Sequence, residues 1–261
     1  MAASAIATLV KLAGPERVIV GAGTGFTGRR AMGQRPLSWK VLPTMVAQVQ
    51  ALLRGEVVEV EQSATQMLHG DGQAPNRPIE VPWVLGVNGP KGLAVAEEWA
   101  VVCSPRPRPD ADYGGLDDVI LLGFGTVMDP DETVDAARVI ETAGPGVAVA
   151  YRVPRAARCR LDSLPNGEGF VALATALDPE TRHLALHTGH LTVMNDIDRQ
   201  VITGSAMHVA PLTVHGSELP GRIQRLADQG VTEIAFQPMG DIGANSRSSP
   251  TPPSGPERYS G

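Results

Sequence analysis

Several groups of residues in this 261-residue chain have types and spacings that bear on chemistry. Residues 18–28 read VIVGAGTGFTG, an apolar run entering G-x-G-x-x-G, the spacing of a dinucleotide-binding turn in which glycines let backbone amides close on a pyrophosphate. Such a turn also needs a helix that starts inside the motif and an acidic residue about 20 positions on for the ribose. Gly33 and Pro36 oppose an immediate helix after Gly28, and no Asp or Glu lies between Arg17 and Gly55, whereas Arg29, Arg30, Arg35 and Lys40 do. The pattern predicts an amide-rich, cationic loop at the end of a strand, suited to an anion, in place of a nicotinamide turn. The plainer alternative is that the glycines serve tight turns and the arginines are solvated.

A second turn, Asn88-Gly89-Pro90-Lys91, repeats the arrangement of strand, small residues, helix start and cation. Parallel strands would bring both turns to one end of the sheet, the end where α/β active sites lie. His183, His187 and His190 have H-x3-H-x2-H spacing; on a helix the first two share a face and could bind zinc. Gly189 and the alternation of Leu184, Leu186 and Leu191 favour a strand, and without a glutamate inside the motif no metal is expected. Asp129, Asp131 and Glu132 lack the spaced ligands and glycine of a calcium loop and suit helix capping after Pro130. Ser205 and Ser217 lack the G-x-S-x-G context of a hydrolase, and Cys103 and Cys159 have no evident activating partner. No catalytic residue is named by these patterns.

The elements that must position these groups alternate. A first helix carries Ile6, Leu9 and Val10 and ends at Gly14-Pro15. Strand Arg17–Gly21 follows, β-branched and expected to be buried on both faces. Next come a helix from Ser38 to Arg54, a short extended Val57–Val60, a strand Ile79–Val87 and a helix from Pro90 to Trp99. A strand at Ala100–Cys103 precedes the proline-rich loop 105–109, and another spans Val119–Leu122 or runs on through Val127. Helices are predicted at Asp131–Thr142 and Leu219–Gln229, and a last strand at Val231–Phe236. This alternation implies an α/β fold on a parallel sheet over residues 1–242. Residues 243–261, rich in Ser and Pro, are expected to be disordered.

Composition narrows the partners. With 43% hydrophobic residues the chain can bury a sizeable core, and a net charge of −6 offers no global attraction for nucleic acid. The residues before Lys11 carry no cationic leader, no segment reaches the ~20 apolar residues of a membrane span, and two isolated cysteines suit a reducing, cytoplasmic setting.

The blocks ASAIATLVKLAGPERVIVGAGTGFTGRRAMG, VPWVLGVNGPKGLAVAEEWA, ILLGFGTVMDPDE, RHLALHTGHL and LADQGVTEIAFQPMGDI together make the chain resemble the luciferase-like monooxygenase superfamily, in particular its oxidoreductases that use coenzyme F420. The resemblance implies a (β/α)8 TIM barrel carrying F420, or alternatively FMN, across its C-terminal face, with hydride exchanged with a small-molecule substrate. It implies cofactor contacts at Gly23, Thr24 and Gly25 and a phosphate near Asn88, Gly89, Pro90 and Lys91; charge suggests Arg29, Arg30 or Arg35 for the acidic cofactor tail. It also implies that the chain corresponds to strands four to eight, an incomplete barrel, with a homodimer or another chain as a means of completing it and a non-catalytic remnant as the alternative to an enzyme. The run after Trp99 and the tail after Ile242 depart from the family pattern.

Overall fold

The computed structural model describes residues 1–70, 72–87, 90–96, 101–104, 113, 116, 118–152, 161, 163–240 and 242. The proline-rich 105–109 and the tail 243–261 lie outside the described residues.

Helix α1 (Ala2–Ala13) buries Ala3, Ile6, Ala7 and Val10, an i, i+3, i+4, i+7 stripe, and ends at Gly14, whose φ of 88° lets its N–H return to the Val10 carbonyl at 2.9 Å. Pro15 then nucleates a 3-10 turn, Pro15–Arg17, so the chain does not become extended at Arg17 as its β-branched residues suggest. Strand β1 is Val20–Gly23. Helix α2 (Phe26–Ala31) follows, then α3 (Val41–Arg54), which starts three residues later than expected because Ser38 to Val41 form a turn. A hairpin of β2 (Val58–Val60) and β3 (Ser63–Thr65) turns through Glu61 and Gln62, both with positive φ, as a two-residue hairpin requires.

Strand β4 is confined to Trp83–Gly86, with Pro82 just before it accepting from the Val20 N–H at 2.9 Å. Helix α4 (Pro90–Ala96), β5 (Val101–Ser104) and β6 (Asp118–Gly123) follow. Strand β6 does not continue to Val127: Gly125, at φ 145°, breaks it, and β7 (Val127–Met128) pairs separately with β8 (Val214–His215). Helix α5 is Ala137–Tyr151, displaced from the expected Asp131–Thr142 and running through Pro145. A proline inside a helix removes one hydrogen bond. Tertiary packing outweighs that loss here, since Val139, Ala143, Val147 and Ala150 are buried and the flanking glycines admit close neighbours. A Cβ on Gly144 would lie 2.4 Å from the Met194 sulfur, and one on Gly146 2.7 Å from Phe124 Cβ.

Helices α6 (Gly167–Ala176), α7 (Arg182–His187) and α8 (Asp196–Val201) and a 3-10 segment, Gly204–Val209, pack around α5 as the largest apolar cluster. Helix α9 (Leu219–Asp228) and β9 (Glu233–Phe236) close the described chain.

Five strands form one parallel sheet in the order β1-β4-β5-β6-β9. The fold is thus mixed α/β, and β1 and β9 are the two edges, with no closed barrel among the described residues. One face packs Leu85, Val119 and Leu121 with Leu42 and Val46 of α3 and Leu226 of α9. The other leaves Gly21, Gly23, Gly86, Glu233 and Ala235 exposed, so β1 is not buried on both faces as its sequence suggests. Among the described residues, no helix is long and apolar enough to cross a membrane.

Candidate functional site

Gly23 pairs in register with Gly86, so the segments leaving β1 and β4 start side by side at the C-terminal end of the sheet. Gly23, Thr24 and Gly25 form the first turn, pinned by the Leu37 N–H donating to the Thr24 carbonyl at 2.9 Å. In the second, Asn88 and Gly89 lie outside the described residues; Pro90 opens α4 and Lys91 is exposed beside it. Gly92 holds α4 against the sheet, since a Cβ there would sit 2.7 Å from the Trp39 ring and 3.0 Å from Val87.

The expectation that no helix begins within the glycine motif is corrected. Gly25 adopts a left-handed conformation (φ 71°), its carbonyl accepts from Arg29 N–H at 2.8 Å, and α2 runs for six residues before Gly33 (φ 70°) stops it. Gly33 thus terminates a helix rather than preventing one. A dinucleotide turn is still disfavoured: β1 sits at a sheet edge, whereas the first strand of a Rossmann sheet is internal, and the acid-free stretch offers no ribose ligand.

The three arginines diverge. Arg29 folds back, its Nε donating to the Arg35 carbonyl at 2.7 Å, and Arg35 is exposed. Arg30 lies with its guanidinium 4.5 Å from the Phe26 ring centroid and lines a cavity of about 430 Å³ between α2, α5, α6 and α7. That volume falls within the ~300–1,000 Å³ typical of small-molecule sites.

Helix α7 brings His183 and His187 to the same cavity at i, i+4 spacing, correcting the strand expected from its alternating leucines. The helix forms because Thr181 and Asp178 supply its first turn: the Ala185 N–H reaches the Thr181 carbonyl at 3.2 Å and the Arg182 N–H the Asp178 carbonyl at 2.8 Å. His190 stands behind His187, ring centroids 5.2 Å apart and edge-on. Among the described residues no group of three or more His, Cys, Asp or Glu gathers to hold a metal. Asp129 and Glu132 cap a turn, the Asp129 N–H donating to Glu132 Oε2 at 2.9 Å, while Glu132 also takes a two-pronged contact from Arg138.

The centre of the cavity wall is Arg152, which ends α5 with a side chain only 3% exposed. Its Nη2 donates to the buried Asp198 and its Nη1 faces His190 Nδ1 at 2.8 Å, which makes that ring nitrogen the acceptor. Asp198 is itself fixed by the capping box of α8, where it accepts from the Asn195 N–H at 3.2 Å. Burial, then the Arg152 charge and His187, hold His190 down at about 4. His187 is lowered by burial and then by Arg152, Arg30 and His183, so its ring is neutral near pH 7. Arg30 is also lowered by burial, and burial raises the carboxyl of Asp198 against the opposing pull of Arg152.

Arg182 donates to the Thr175 and Leu177 carbonyls at 3.0 and 2.9 Å. The Nε atoms of Arg30, Arg152 and Arg182 and Nδ1 of His187 are buried without a hydrogen-bond partner. The lining also has an apolar part, with Phe170 against Tyr151 at 5.6 Å between centroids, and Leu161, Val171 and Leu186.

Arg152, Arg182 and Tyr151 escaped the sequence reading. Arg152 gains its role from Asp198, 46 residues away, which no local spacing announces.

No protein-family model matches the chain, and no curated protein matches it either.

Proposed function

We propose that the chain is an F420-dependent oxidoreductase of the luciferase-like monooxygenase class, its parallel strands standing for strands four to eight of a TIM barrel. One observation carries this reading: each strand of the five-stranded sheet neighbours that sheet's next strand in chain order, with the segments after β1 and β4 leaving from the registered pair Gly23 and Gly86. Parallel crossovers are right-handed, so an order without reversal sends successive helices to the same face. That is the winding of a (β/α)8 barrel, whereas a doubly wound sheet reverses at its switch point. The other face of this sheet exposes Gly21, Gly23 and Gly86 at the C-terminal ends of β1 and β4, beside the buried Val84, and leaves backbone there open to a planar ring.

In this reading Gly23, Thr24 and Gly25 let the backbone approach the cofactor. Asn88, Gly89, Pro90 and Lys91 hold its phosphate, with the Lys91 ammonium as counter-charge. Arg35, exposed on the segment after α2, offers a charge for the acidic tail of F420. Bound coenzyme F420 supplies hydride transfer at its deazaflavin ring; the protein binds, orients and keeps water from the reacting face.

Fluorescence titration with F420 and, separately, FMN tests the proposal. Saturable F420 binding at micromolar concentration, weakened by Lys91→Gln, is expected. Tighter binding of FMN would move the assignment to a flavin monooxygenase, and binding of neither at high micromolar concentration would leave a non-catalytic chain.

A further inference from the structure

The cavity between α2, α5, α6 and α7 has a charge balance unlike that of an ordinary core. A buried cation is normally matched by a carboxylate, because an unmatched one forfeits its hydration. Arg152 has Asp198 behind it, but its Nε remains unpartnered although the side chain is 97% buried by its 3% exposure. Arg30 has only the face of Phe26, and Arg182 only neutral carbonyls. Neither is paired with a carboxylate among the described residues. His183 and His187 add two further potential donors to the same wall, and no Asp or Glu lines the cavity among the described residues. The rest of the lining includes the apolar Phe170, Val171, Ala174 and Leu186.

We propose that this cavity binds an amphipathic organic anion, with a carboxylate or phosphate held by Arg30, Arg152 and His187 and a short apolar body lying on Phe170 and Leu186. The site goes beyond the oxidoreductase reading and stands whether or not F420 binds. An anionic headgroup gives the guanidinium charge of this wall the counter-charge that its lining lacks, and charge-assisted bonds to guanidinium are the strong ones. It also offsets the mutual repulsion of Arg30, Arg152 and His183 that disfavours a proton on His187. The volume of about 430 Å³ exceeds what a bare phosphate fills, and the apolar wall gives the remainder a use.

Calorimetric titration of the full chain, without any redox cofactor, with hexyl phosphate, hexanoate, inorganic phosphate and hexyltrimethylammonium tests the site. Hexyl phosphate or hexanoate is expected to bind at least tenfold more tightly than inorganic phosphate, the cation not at all, and the His183 and His187 ring proton resonances are expected to move on binding. Arg30→Gln, a half-buried position outside the main apolar cluster, should weaken both anions by roughly tenfold or more. Leu186→Ala should weaken the alkyl ligands several-fold and leave inorganic phosphate unchanged. The site is refuted if no anion binds at tens of millimolar, or if Arg30→Gln binds as tightly as the parent. Equal affinity for inorganic and hexyl phosphate refutes the amphipathic assignment. F420 binding with no effect of these probes leaves the oxidoreductase reading intact, so the two proposals fail separately.

Discussion

Replacing Asp198 by Asn tests whether the buried ion pair holds the helical cluster together. The substitution keeps shape and one acceptor oxygen but removes the charge opposite Arg152, whose side chain is 3% exposed and that of Asp198 1%. Removing one partner of a buried pair costs about 3–5 kcal/mol, because the remaining charge is left uncompensated. The amide can still accept from Arg152, and the cap at the Asn195 N–H can persist, so the loss should fall near the lower end, about 3 kcal/mol. At roughly 2–4 °C per kcal/mol for a chain of this size, the midpoint should fall by about 6–12 °C. Urea denaturation followed by far-ultraviolet circular dichroism should show a lower midpoint at unchanged slope. The double variant Arg152→Met/Asp198→Leu should recover most of the deficit, since apolar replacement of a whole buried pair is often neutral or better; loss of the cap will withhold about 1 kcal/mol. A single variant within about 1 kcal/mol of the parent, or a double variant no better than the single, would refute the account.

Acid should act in two stages. His190 is held at about 4, below its ordinary 6.5, so its contribution is complete above 6.5 and is lost as pH falls through about 4. Glu132, lowered from 4.5 to about 2 chiefly by Arg138, contributes above 4.5 and loses that contribution as pH falls through about 2. Urea midpoints should therefore decline below pH 6.5 in the parent, and a flat profile from 6.5 to 4 would contradict the buried neutral imidazole. At Gly125, φ is 145° and a Cβ would sit 2.4 Å from the Leu212 carbonyl carbon, so Gly125→Ala should cost about 2 kcal/mol or more and be seen as a lowered thermal midpoint. A change under about 0.5 kcal/mol would show that β6 and β7 can part without this contact.

The periodic elements were the legible ones. Helix α1 repeats its apolar residues at helical spacing and stops at a glycine, and α9 and β9 are bounded by Gly230 and by a β-rich run. The misplaced elements have both local causes, as at Pro15 and the Ser38–Val41 turn, and long-range ones. Helix α5 holds a Gly-Pro-Gly that local preference treats as a break; it stays helical because Met194 and Phe124 occupy the space the glycines leave open. Helix α7 has the leucine alternation of a strand, yet the turn bonded to Asp178 and Thr181 starts it as a helix and puts His183 and His187 on the cavity that Arg30 and Arg152 also line. The glycine turns could be located from composition. The cationic wall of the cavity could not, because it takes one arginine from α2, one from the end of α5 and one from α7.

The glycines of VIVGAGTGFTG therefore serve two different surfaces. Gly21 and Gly23 keep side chains off the open face of β1, where a Cβ on Gly21 would meet nothing within 4 Å. Farther in, the same face carries Val84, registered with Gly21, and Ile120 and Leu122 of β6, so the opening is confined to the glycine ends of β1 and β4. The exposed Gly21, Gly23 and Gly86 leave little apolar area in water, so this patch is compatible with solvent or a flat ligand. Gly25 and Gly33 do something else: each adopts positive φ, one opening α2 and the other closing it, and between them they fix where Arg30 stands. A Cβ on Gly33 would sit 3.4 Å from the His183 ring, an ordinary contact, so what this position asks of glycine is the positive φ that ends the helix beside the histidine wall. The motif is thus better explained by the two turns it permits and the arginine it aims than by the dinucleotide its spacing suggests.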